Sequence, residues 1–167
     1  MTPKQQKKID YDGTDVMSRV ITNLVNQFPG MKGVIFEFAT VSETSGFGIY
    51  PTAGAAIESE KQDILGHVRQ RCQYPFTLVY RSAFSNEGQR IKAKEFLDTL
   101  ARWLERQPVV IEGTTHQLAA YPEMTSGSRK IKSISRTSPA HFGGNYDDKV
   151  EDWVISLSLK YDHEFDR

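Results

Sequence analysis

Cysteine is almost absent from this chain of 167 residues: Cys72 stands alone, so no disulfide can close within the chain and no zinc site can be assembled from thiolates. Net charge is absent as well, since 21 Lys and Arg balance 21 Asp and Glu. That balance argues against a molecule held chiefly by counterion release along a nucleic acid or by an anionic membrane, while leaving room for local basic patches. No run approaches the roughly 18 to 20 apolar residues needed to cross a bilayer. No apolar stretch follows Lys4, Lys7 and Lys8 that would serve as a secretory signal, so the expectation is a soluble protein inside the cell. What is present is 11% aromatic and 38% hydrophobic residue content, enough for a core and too much for wholesale disorder. The length fits one domain over residues 1–167, with a polar amino-terminal tail at 1–13.

Periodicity supplies the elements. Met17, Val20, Ile21, Leu24 and Phe28 recur at helical spacing, which predicts an amphipathic helix over 14–28 with Thr14 as its N-cap and Pro29-Gly30 as its stop. Residues 34–41 and 47–50 read as two strands of a hairpin, and 51–61 as an exposed loop. Residues 64–83 predict a hairpin or one bent long strand, with Pro75 at an edge or bulge because it lacks a backbone donor. A second helix opens at Asn86, with Gln89 at capping-box spacing, and buries Ala93, Phe96, Leu97, Leu100 and Leu104 before Pro108 ends it. Short strands follow at 109–111 and 130–136, then a long mobile loop over 137–149. A final strand has Trp153, Ile155, Leu157, Leu159 and Tyr161 on one face. The expected fold is α+β: a mainly antiparallel sheet with two amphipathic helices on one face and long loops.

Chemistry has little foothold. His67, His116, His141 and His163 fall in separate elements without ligand spacing, and Asp10, Asp12 and Gly13 do not complete a calcium loop. Neither a phosphate-cradling loop nor a nucleophile elbow occurs, and Cys72, within a strand, reads as a buried inert thiol. Asp147, Asp148, Glu151 and Asp152 read as a solvated acidic face. Catalytic residues, metal ligands and cofactors are therefore expected to be none. Lys130 and Lys132 are expected to point together, joined by Arg136 if no bulge intervenes. Lysines that protect an edge strand explain this basic strand better than a phosphate-tracking surface.

Three segments in order bear a wider likeness. Residues 74–83, Tyr-Pro-Phe-Thr-Leu-Val-Tyr-Arg-Ser-Ala, form an aromatic strand ending in Arg-Ser, and the following helix ends in Trp103-Leu104-Glu105. The last strand closes on Leu159-Lys160-Tyr161. With the first helix ahead of them, they resemble the tail terminator or minor capsid proteins of long-tailed bacteriophages. The resemblance implies a non-enzymatic virion protein, assembled in the host cytoplasm, that forms a hexameric ring at the head-proximal end of the tail tube. Its partners would be other copies of itself, the tail tube protein and a head-completion or neck protein, with DNA passing through the lumen without specific binding. Lumen residues are then expected to be neutral or acidic. Phe47, Ile49, Tyr50, Phe142 and Tyr146 are the candidate contacts, because aromatic anchors favour interfaces. A neck connector, and more distantly a nucleic-acid module using the basic strand with Tyr74, Phe76 and Tyr80, remain as alternatives.

Overall fold

In the computed structural model, which describes residues 7–124 and 128–167, the chain runs α1 (Tyr11–Val25), β1 (Phe36–Phe38), β2 (Gly46–Pro51), β3 (Ala56–Gln62), β4 (His67–Ser82), α2 (Glu87–Leu104), β5 (Val109–Ile111), β6 (Thr114–His116), β7 (Arg129–Arg136), β8 (His141–Asp147) and β9 (Val150–Asp166). Two long strands form its spine: β4 and β9 pair antiparallel from His67 opposite Asp166 to Ser82 opposite Glu151. Shorter strands share the two outer sides. β3 and β2 lie end to end along β4, β7 and β8 along β9, and β1 extends the sheet beyond β2. β5 and β6 form a separate ribbon.

Strand alternation sorts the spine into two faces. Cys72, Tyr74, Phe76 and Leu78 of β4 and Ile155, Leu157, Leu159 and Tyr161 of β9 are buried together on one face. Both helices cover it, α1 with Met17, Ile21 and Leu24 and α2 with Leu97, Leu100 and Leu104. Each such side chain stabilises the fold by roughly 1.5–3 kcal/mol relative to exposure. The other face is open and polar, with cross-strand pairs such as Arg69 with Glu164, Thr77 with Ser156 and Arg81 with Asp152. The α+β class, the mainly antiparallel sheet and the two helices on one face are as expected.

Several local expectations are corrected. α1 starts at Tyr11 because Asp10, not Thr14, caps it: the Asp10 carboxylate accepts from the Gly13 N–H at 3.0 Å. Thr14 instead bonds onward, its hydroxyl accepting from the Ala55 N–H at 2.9 Å. β1 and β2 run parallel rather than as a hairpin. The chain turns at Ala39, whose φ is 55°, and its return segment lies over Gly48, where a Cβ would collide with Val41 and the Thr40 carbonyl. The expected loop at 51–61 contains β3, and the expected mobile loop at 137–149 contains β8, hairpinned to β9 through Asp148 and Lys149. Pro75 lies inside the sheet, opposite Ser158, and not on an edge strand. Its carbonyl accepts from the Thr52 N–H at 3.1 Å, so its missing donor faces the gap where β3 gives way to β2 and no ladder bond is lost.

Candidate functional site

Of the five expected contact residues, two lie in the subunit's own core. Ile49 is fully buried, and Phe47 packs edge-on against Tyr80 with ring centroids 4.3 Å apart and against Phe36 and Phe96. The reason is positional: β2 lies between β1 and β4, inside the sheet. Tyr50 is half-buried, whereas Phe142 and Tyr146 on β8 are 47% and 49% exposed. Even these two are braced from beneath. Phe142 rests on Trp153, and the Arg81 guanidinium lies 3.7 Å from the Tyr146 ring centre while gripping Asp152 at 2.7 and 2.9 Å. Glu151 likewise bonds Arg90 at 2.9 Å, so half of the expected acidic face is paired.

The basic strand is divided by a bulge. The register shifts between Ile131 and Ser133, which keeps Ile131 and Ile134 in the core and turns Arg136 to the helix-covered side, 2.8 Å from Glu105. Lys130 and Lys132 stay on the open face, as expected, without Arg136. Arg129 turns inward too, bidentate on Asp10 at 2.8 and 3.0 Å.

An apolar hairpin tip went unread in the sequence, where Ile64 and Leu65 look like the start of the long strand. Ile64 is fully exposed and Leu65 is 87% exposed. The turn that presents them is fixed: the Asp63 carboxylate accepts from the N–H groups of Leu65 and His67 at 2.9 and 3.0 Å, and the Arg167 N–H bonds the Gly66 carbonyl at 2.9 Å. Gly66 has φ +88°, a conformation glycine adopts without strain. Beside it, His67 bonds Asp166 at 3.0 Å, which with the nearby Glu164 and Asp63 raises its pKa.

Two of the edge strands, β1 and β7, are closed by side chains. Asn26 mimics a strand partner for β1, its amide donating to the Phe36 carbonyl at 3.1 Å and accepting from the Phe36 N–H at 2.8 Å. On β7, the Ile134 N–H is taken by the Tyr121 hydroxyl at 3.2 Å and the Arg136 N–H by Glu105 at 3.3 Å. Near β1, Val34, Ile35 and Phe38 remain exposed, and Phe38 lines a groove of about 620 Å³ together with Pro51 and Ser18, Arg19 and Thr22 of α1.

The densest polar cluster lies at the start of α1. Asp10 takes the Gly13 N–H, the Arg129 fork and the Tyr161 hydroxyl at 2.7 Å. Burial alone would raise its pKa, but the bonds from Arg129, Tyr161 and Gly13 together hold it below the ordinary carboxylate value. Nearby, burial and the Arg129 charge push His163 down, while burial lifts Cys72 to about 11, leaving a protonated, non-nucleophilic thiol at neutral pH. This cluster pins the helix start to β7 and β9. Among the described residues, no group of three or more His, Cys, Asp or Glu is arranged to hold a metal, and no helix is long and apolar enough to cross a membrane.

No family model and no curated protein matches the chain. A solved structure whose name describes no function aligns over 92% of this chain and 94% of its own, at 11% identity and a TM-score of 0.36. A likeness this loose supports no functional argument.

Proposed function

We propose that the chain is an assembly subunit of the tail-terminator type, closing into a ring that caps the head-proximal end of a phage tail tube. The observation on which this rests is the fixed apolar tip, Ile64 and Leu65, presented to solvent by a hydrogen-bonded turn. Such a knob needs a socket, and the exposed Val34, Ile35 and Phe38 lie too far away within one copy. β1 is registered through Phe47 to Tyr80, 13 residues along β4 from His67, which is about 43 Å of strand. A head-to-tail contact between copies joins the two, and a heterologous contact that closes gives a ring. Two aliphatic side chains make each contact weak, so closure supplies the stability through multivalency. Phe142 and Tyr146 on β8 provide a separate surface for the tube or the neck.

Light scattering over a range of concentration, with tail tubes added in a second series, tests this reading. A discrete closed oligomer, or binding confined to one tube end, is the expected result. A protein that stays monomeric and ignores tubes overturns it, and binding to a neck protein without tube binding favours the connector reading.

A further inference from the structure

The open face of the sheet gathers positive charge that the neutral whole conceals. Residues directly opposed across an antiparallel ladder share a face. Lys61 is opposite Arg69, Arg71 is opposite Asp162, Lys130 is opposite Asp162 and Ser133 is opposite Lys160. The strands β3, β4, β9 and β7 thus present Lys61, Arg69, Arg71, Lys160 and Lys130 on one face. Lys132, displaced by the bulge, reaches the same face, with its Nζ 3.7 Å from Asp162. Against these six cations stand Asp162, Glu164, Asp166 and the exposed Glu58, which the β3 bulge displaces to this face as the β7 bulge does Lys132, and Asp166 is already engaged by His67 at 3.0 Å. Glu60 turns to the helix side, opposite Gln70, where Gln70 and Arg167 hold it.

The carboxylates do not saturate the cations. Arg69 holds Glu164 at 2.6 Å, but Arg71 and Lys132 share Asp162 at 3.8 and 3.7 Å, beyond hydrogen-bond reach. Asp162 Oδ1 is buried without a hydrogen-bond partner among the described residues. Arg69, Ser128, Lys130 and Lys132 line a groove of about 340 Å³ around these carboxylates, and Lys61, Lys130 and Lys160 are exposed.

We propose that this face binds the phosphate backbone of a nucleic acid duplex. The four strands that carry the cations lie about 4.8 Å apart, and Arg69 and Arg71 stand about 7 Å apart along β4, so the face offers neighbouring positive groups to a repeating anion. Between them lie Ser59, Gln73 and Ser133, hydrogen-bonding side chains where a membrane-binding face would alternate charge with apolar residues. A single strand would call for exposed aromatic platforms. Tyr74, Phe76 and Tyr80 face the helices instead, with Tyr74 and Phe76 fully buried.

The test is fluorescence anisotropy of a labelled 20-base-pair duplex at increasing salt. A surplus of about two charges predicts a log–log salt slope near −1.8, an affinity loss of about 12-fold between 50 and 200 mM. The triple variant Lys130→Gln, Lys132→Gln, Lys160→Gln is expected to bind at least 10-fold more weakly and with a slope near zero. Lys94→Gln on α2 removes one charge elsewhere and should bind like the parent. No duplex binding at 50 mM salt overturns the inference, as does equal loss in Lys94→Gln, or capture by phosphatidylserine vesicles without duplex binding. The measurement does not require ring closure, so its failure and that of the assembly reading are separable.

Discussion

Gly13 sets the sign of an unusual substitution effect. Within a helix, alanine is ordinarily favoured over glycine by about 1 kcal/mol. A Cβ here would run into the Asp10 carboxylate and the Tyr161 hydroxyl, so Gly13→Ala is expected to destabilise by about 1–3 kcal/mol in urea unfolding. Removing the carboxylate is worse. Arg129 and Asp10 have side chains 9% and 7% exposed, and Asp10→Ala leaves a buried guanidinium without its counter-charge at a cost of roughly 3–5 kcal/mol. The pH dependence follows from the shifts. The lowered pKa of Asp10 makes its contribution fully present above the unfolded carboxylate range and lost as pH falls through the folded value. His163, also lowered, is neutral in the fold, and its protonation as pH drops from the ordinary histidine range opposes folding. Stability therefore declines on the acid side. Between about pH 5 and 3 the urea midpoint should fall less steeply in Asp10→Asn than in the parent; equal slopes would show that other carboxylates dominate.

At the scale of elements, edge closure is the device that side chains supply. Phe36 is buried, so Asn26→Ala orphans both its N–H and its carbonyl and is expected to cost about 1–3 kcal/mol. Tyr121→Phe removes the acceptor for Ile134 and the donor to Leu104, and hydrogen exchange at the Ile134 amide should speed up while α2 amides near its start keep their protection. What the sequence revealed at this scale depended on how local the cause was. α2 was legible because its cap, Asn86 with Gln89, and its stripe of Ala93, Leu97, Leu100 and Leu104 lie within one segment. β9 was legible because its buried residues alternate. β3 was not, since residues 58–62 are exposed and the strand exists through pairing with β4. The cap of α1 is local, Asp10 on Gly13, but Asp10 lies among the polar residues ahead of the apolar stripe, and what sets it apart is its pairing with Arg129, distant in sequence. Among site residues, Phe142 and Tyr146 were legible as exposed aromatics, whereas the basic face joins Lys61, Arg69 and Lys160 from three strands that only the register brings together.

For the whole molecule, the decisive question is whether knob and socket join different copies head to tail. Ile64 and Leu65 touch solvent, so Ile64→Ser with Leu65→Ser should leave stability within about 0.5 kcal/mol while abolishing self-association. Ile35→Ser with Phe38→Ser, at the opposite end of the spine, should abolish it as well. Mixing the two variants separates the possible symmetries. Under a head-to-tail contact, the knob-deficient copy keeps its socket and the socket-deficient copy keeps its knob, so one productive contact remains and the mass stops at a dimer. Were the contact isologous, knob against knob, the socket-deficient variant would dimerise by itself and the mixture would add nothing. Because one contact without closure is weak, light scattering of each variant alone and of the equimolar mixture at protein concentrations up to about 1 mM, where a single weak contact is populated, distinguishes these outcomes. A dimer found only in the mixture establishes the heterologous contact from which a ring can close, and a dimer of the socket-deficient variant alone rules it out.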